Sequence, residues 1–72
     1  MFDFGAHLKS LRISAGLTQK QLAIEIGASE RGIQNYELGE RKPTYEILIA
    51  LADYFDVSLD YLVGRSDDPS RH

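Results

Sequence analysis

Apolar residues recur at helical spacing in five short stretches, each opened by a capping residue. Phe4, Leu8, Leu11 and Ala15 share one face of a first predicted helix, which Asp3 caps and Gly16 ends. Thr18 opens a second, and Gln21 three positions later completes a capping-box pattern. Its Leu22, Ala23 and Ile26 point inward before Gly27 stops it. Ser29 caps a third helix that runs to about Leu38, with Gly39 as the stop. Thr44 caps a fourth, in which Ile47, Leu48, Leu51, Ala52 and Phe55 keep the period. Ser58 caps a short fifth through about Val63, closed by Gly64. Sustained alternation and Asn-Gly or Asp-Gly hairpin turns are absent from the sequence, so β-structure is not expected. The pattern predicts an all-α bundle of five helices over residues 1–64, followed by a polar tail, 65–72, that is free to fray.

Length and composition narrow the class. Seventy-two residues make one domain, and 43% hydrophobic with 26% charged residues is ordinary for a globular chain. There is no cysteine to form a disulfide or a thiolate metal site. No apolar run approaches the roughly 20 residues that span a bilayer, and the N-terminus carries no signal pattern. A soluble, cytoplasmic protein is the expectation, with no membrane partner. The net charge of −3 is unevenly spread. Residues 1–42 hold six basic groups against five acids, whereas residues 43–72 hold two against six. An acidic far side leaves a mildly basic face in the first half, which predicts modest non-specific affinity for a polyanion and strong salt sensitivity.

The stretch from Leu17 to Glu37 is the informative one. Two short helices are joined by Ile26-Gly27-Ala28-Ser29, and Gly27 can take the left-handed conformation a tight turn needs. Ala23 is small enough to let the two helices approach, while Leu22, Ile26 and Ile33 seal the angle between them. That layout is a helix-turn-helix, whose second helix enters a DNA groove. The third predicted helix has suitable chemistry. With Ile33 and Tyr36 assigned to the core, its outward set is Glu30, Arg31, Gly32, Gln34 and Asn35. Arg31 can pair with guanine, Gln34 or Asn35 with adenine, and Glu30 can accept from cytosine, at about 1–3 kcal/mol of discrimination per good bidentate pair. Gly32 removes a side chain where the helix can press closest. The bland alternative is a solvated polar face, with Glu30 merely favouring the helix dipole.

Leu17-Thr18-Gln19, Leu22-Ala23, Ile26-Gly27, Ser29, Ile33, Tyr36-Glu37, Gly39, Pro43 and Val57-Ser58-Leu59-Asp60-Tyr61-Leu62 together resemble the Cro/cI-type (XRE-like) helix-turn-helix family of phage repressors and bacterial regulators. The resemblance implies a five-helix, lambda-repressor-like bundle that binds operator DNA. It places Gln19 against the DNA backbone and the first reading residues, and pairs Arg12 with Glu37 in a buried ion pair between the first and third helices. It departs from the family at Gly32, where a hydroxyl residue is more usual.

Phosphate contacts are expected to flank the reader. Thr18 and the free amides at the start of the second helix suit phosphate oxygens, although Thr18 also has its capping role. Arg41 and Lys42 follow the reader on a polar loop, where solubility is their plain alternative, and Lys20 is a weaker candidate. Lys9 reads as a surface charge. Members of the resembled family dimerise, and the apolar residues left for a homodimer contact are Leu59, Tyr61 and Val63 with Pro43 nearby. Ile24, Ile49 and Tyr54 form a second candidate patch. Catalysis is not expected, because His7 and His72 are the only histidines and neither sits at metal-ligand spacing with the carboxylates. Neither cofactor nor metal is called for. The expected activity is transcriptional regulation by sequence-specific binding to a double-stranded operator, most simply repression. Control would come from abundance, dimerisation or a regulatory protein partner. The rival is a protein-interaction adaptor or antitoxin component on the same fold.

Overall fold

Each helix begins where a short polar side chain accepts a hydrogen bond from a backbone amide that the helix itself leaves unpaired. In the computed structural model, which describes residues 2–71, the helices are α1 (Phe4–Ser14), α2 (Gln19–Ile26), α3 (Glu30–Leu38), α4 (Tyr45–Phe55) and α5 (Leu59–Leu62). Met1 and His72, at the outer ends of the expected domain and tail, lie outside the described residues. The five caps are Asp3, Thr18, Ser29, Thr44 and Ser58. At α2 the capping box is reciprocal: Gln21 N–H donates to Thr18 Oγ1 at 3.1 Å, and Thr18 N–H to Gln21 Oε1 at 2.8 Å. Among the described residues there is no strand.

Gly27 and Gly39 close α2 and α3 in the left-handed region, at φ 72° and 77°. The fourth helix ends without a glycine, on Asp56 at φ 55°. Its strain is tolerable because Asp, like Asn, visits that region more readily than bulkier residues. Ala15 does not join the inward face expected of it. The first helix stops at Ser14, and Ala15 becomes its exposed C-cap, where the chain already turns toward α2.

Leu8, Leu22, Ile33, Leu51 and Leu62 are fully buried, one from each helix, and they meet in a single core. Truncating any one to alanine costs about 2–5 kcal/mol. Around this core α3 packs on both α1 and α2, and α4 packs on α2 and α5. The fit of α1 on α3 depends on Gly5. A methyl group there would overlap the Glu37 carbonyl and come within 2.8 Å of Tyr36 O.

Residues 65–71 do not stand away from the bundle as a frayed tail. Pro69 O accepts the Ser58 N–H at 3.0 Å, and Arg71 reaches Asp53 at 2.7 Å and the Ala52 carbonyl at 3.4 Å. The segment thus folds back on the α4–α5 corner. Acidic side chains at the negative end of α4 explain the attraction for the guanidinium.

Candidate nucleic-acid interface

The turn Gly27-Ala28-Ser29 brings α3 across α2 and leaves its first turn outside the bundle. Glu30 and Arg31 are exposed there, while Gln34 and Asn35 one turn later are half-buried. Neither Glu30 nor Arg31 belongs to an ion pair among the described residues. A Cβ at Gly32 would sit 3.1 Å from Ser29 Oγ, the group that caps the helix. A shift of a few tenths of an ångström would relieve that contact, and the equivalent positions of the other four caps, Ala6, Gln21, Ile47 and Tyr61, all carry a Cβ.

Behind that first turn, Arg12 and Glu37 are joined by two hydrogen bonds, Nε to Oε2 at 2.6 Å and Nη2 to Oε1 at 3.0 Å. Arg12 also donates to the Leu17 carbonyl at 2.8 Å, and Gln19 Nε2 donates to Glu37 Oε1 at 3.1 Å. One carboxylate thus ties α1, the start of α2 and α3 together. The hydrogen bond with Glu37 raises the Arg12 pKa further above its already high ordinary value, against an opposing effect of burial. Gln19 is held beside the reader with one amide hydrogen engaged, and its second hydrogen and its oxygen can still serve other partners.

Thr18 and Lys20 are exposed at the start of α2, where the first-turn amides have no intrahelical acceptors. At the far end of α3, Asn35 O accepts the amides of Glu40 at 2.9 Å and Arg41 at 3.3 Å. The α3–α4 loop is therefore anchored to α3, with Arg41 and Lys42 exposed. The residues of the expected phosphate set thus lie at two places in the chain, the start of α2 and the α3–α4 loop.

Of the four dimer candidates, Pro43 and Val63 line one groove, Leu59 is exposed and Tyr61 is half-buried. Leu59 is 45% exposed. Val63, one helical turn on, lines an open groove of about 790 Å³ with Pro43, Phe2, Phe4, Tyr36 and Leu48. Tyr61 instead packs inward, its ring 4.9 Å from that of His7. His7 is half-buried on α1. It lies between the rings of Phe2 and Tyr61, at interplanar angles of 61° and 70°, and its Nε2 is buried without a hydrogen-bond partner among the described residues. Ile24, Ile49 and Tyr54 are exposed on α2 and α4. Among the described residues no cluster of His, Asp and Glu could hold a metal, and no helix is long and apolar enough to cross a membrane.

A helix-turn-helix family model matches residues 8–62, most of the chain. The chain belongs to the helix-turn-helix family. Its five helices form the Cro/cI-like fold expected from its residues. It is 42% identical over 62 residues to the uncharacterized HTH-type transcriptional regulator YobD of Bacillus subtilis, covering 86% of this chain and 55% of that protein. It is 43% identical over 58 residues to the cryptic phage CTXphi transcriptional repressor RstR of Vibrio cholerae, covering 81% of this chain and 52% of RstR. The chain thus spans about half the length of the curated relatives it matches. Among solved structures, the P22 c2 repressor in complex with a synthetic operator aligns with a TM-score of 0.85 at 27% identity, over 92% of this chain and all of that one. The restriction-modification controller C.AhdI of Aeromonas hydrophila aligns at 0.78 and 30% identity, over 83% of this chain and 91% of that one.

Proposed function

We propose that this helix-turn-helix domain regulates transcription by binding a double-stranded operator sequence-specifically, with the leading turn of α3 in the major groove. The observation that carries this reading is the position of Glu30 and Arg31, exposed on the first turn of α3 and in no ion pair among the described residues, with Gln34 and Asn35 behind them. These side chains can address guanine, adenine and cytosine edges, and Gly32 between them lets the helix approach closely. Thr18, Gln19 and Lys20 at the start of α2, with Arg41 and Lys42 on the α3–α4 loop, would hold phosphates and set the register. The operator-bound P22 c2 structure and the repressor RstR among the relatives favour repression.

One reader covers few base pairs, so a homodimer on half-sites about 34–36 Å apart is the working assembly. Leu59 with the Val63–Pro43 side of the groove is the surface for it, and Tyr61 contributes only what α1 leaves open. Control falls to abundance, dimerisation or a regulatory protein partner, and the cytoplasm is the setting that fits. An adaptor or antitoxin role is favoured by one feature, the exposed Ile24, Ile49 and Tyr54. A salt titration of binding to random duplex DNA separates the readings. Affinity that falls steeply with salt supports phosphate engagement, and no binding at low salt supports the adaptor.

A further inference from the structure

We propose that Lys9, on α1, is a further phosphate contact of the DNA face, an assignment that rests on the DNA-binding reading above. Gly5, Leu8 and Arg12 form the buried stripe of α1, and Lys9 follows Leu8 at its exposed edge. There it lines a depression of about 200 Å³ with Gln19, Gln34, Glu37 and Leu38. Two of those neighbours belong to the proposed interface, one beside the backbone and one in the reader. Lys9 thus borders the same surface from a third helix.

The charge at this spot is uncompensated. Glu37 is the one acid among the lining residues, and Arg12 already neutralises it through both oxygens, with Gln19 adding a third hydrogen bond. Lys9 has no ion-pair partner among the described residues. The apolar wall beside it points to a class of ligand. Leu38 is 70% exposed and closes the reader's last turn. A free cation next to an exposed aliphatic side chain suits a sugar–phosphate backbone, where an anionic oxygen alternates with an apolar deoxyribose face. A protein acid would leave Leu38 in water. DNA contacts to phosphate and sugar commonly come from such lysines and fix position without reading sequence.

The test is the affinity of the whole chain for a random-sequence duplex, measured by fluorescence anisotropy across a salt series. Lys9→Ala should weaken binding about fivefold near 0.15 M salt and flatten the slope of log K against log salt by about 0.9, the share of one phosphate. Lys9→Arg should restore both, and the helical circular dichroism of both variants should match the parent. An unchanged salt slope in Lys9→Ala would overturn the assignment and leave Lys9 as a solvated charge near the end of α3. A wild-type chain that binds no duplex at low salt would overturn the parent reading and this one together. Normal wild-type binding with an indifferent Lys9→Ala would remove only Lys9.

Discussion

The guanidinium of Arg12 holds the carboxylate of Glu37 side-on, at 2.6 and 3.0 Å, with the two side chains only 11% and 4% exposed. This pair is the joint between α1 and the last turn of α3. Its net worth against two apolar residues is small, because both charges lose water. Breaking it is another matter. Arg12→Ala leaves a buried carboxylate with only Gln19 for company, and should cost about 3–5 kcal/mol in urea denaturation. Glu37→Gln keeps an acceptor but leaves the guanidinium unneutralised, so it too should destabilise.

Gly5 makes the second prediction. Its missing side chain is the space that the backbone of Tyr36 and Glu37 occupies. Gly5→Ala would gain about 1 kcal/mol of helix propensity in an isolated helix. Here the methyl must push α1 away from α3, and overpacking of that kind costs about 1–3 kcal/mol. A lowered denaturation midpoint is therefore expected, opposite in sign to the propensity effect. A raised midpoint would mean that α1 does not lie so close.

His7 gives a pH dependence. Burial pushes its imidazole below the ordinary value of 6.5, so the fold favours the neutral ring. Among the described residues the buried Nε2 has no acceptor for an added proton, and the Phe2 and Tyr61 rings pack against the imidazole. Because the unfolded chain binds that proton more readily, stability rises with pH in this window. His7's contribution is whole above about 6.5 and is lost as the pH falls through that value and on through the lowered folded one. Thermal denaturation at pH 7.5 and 5.5 should show a drop that His7→Leu reduces. An identical drop in both proteins would assign the pH dependence to other groups.

Much of this architecture is readable before any coordinates, for local reasons. Thr18 with Gln21, and Ser29, Thr44 and Ser58, act on amides two or three residues away, so the chain itself carries the information. Glycines at 27 and 39 stop helices by the same local logic. What eluded the pattern is tertiary. Nothing adjacent to Gly5 says that a carbonyl lies over it, and nothing near Tyr61 says that its partner is His7, 54 positions earlier in the chain. The return of residues 65–71 depends on Arg71 finding Asp53 and Ser58 finding Pro69, contacts invisible to a periodicity. At the DNA face, residue types made Arg31 and Gln34 candidates. That Lys9 borders Gln34 follows only from how α1 lies on α3.

The most direct measurement is in vitro selection of bound duplexes from a random pool, run in parallel with wild type, Arg31→Ala and Lys42→Ala. If α3 reads bases, Arg31→Ala should relax preference at one position of each half-site, at about 1–3 kcal/mol, while Lys42→Ala weakens all sequences alike. Equal, sequence-independent losses from both substitutions would contradict the account, because Arg31 would then be only another charge against the phosphates.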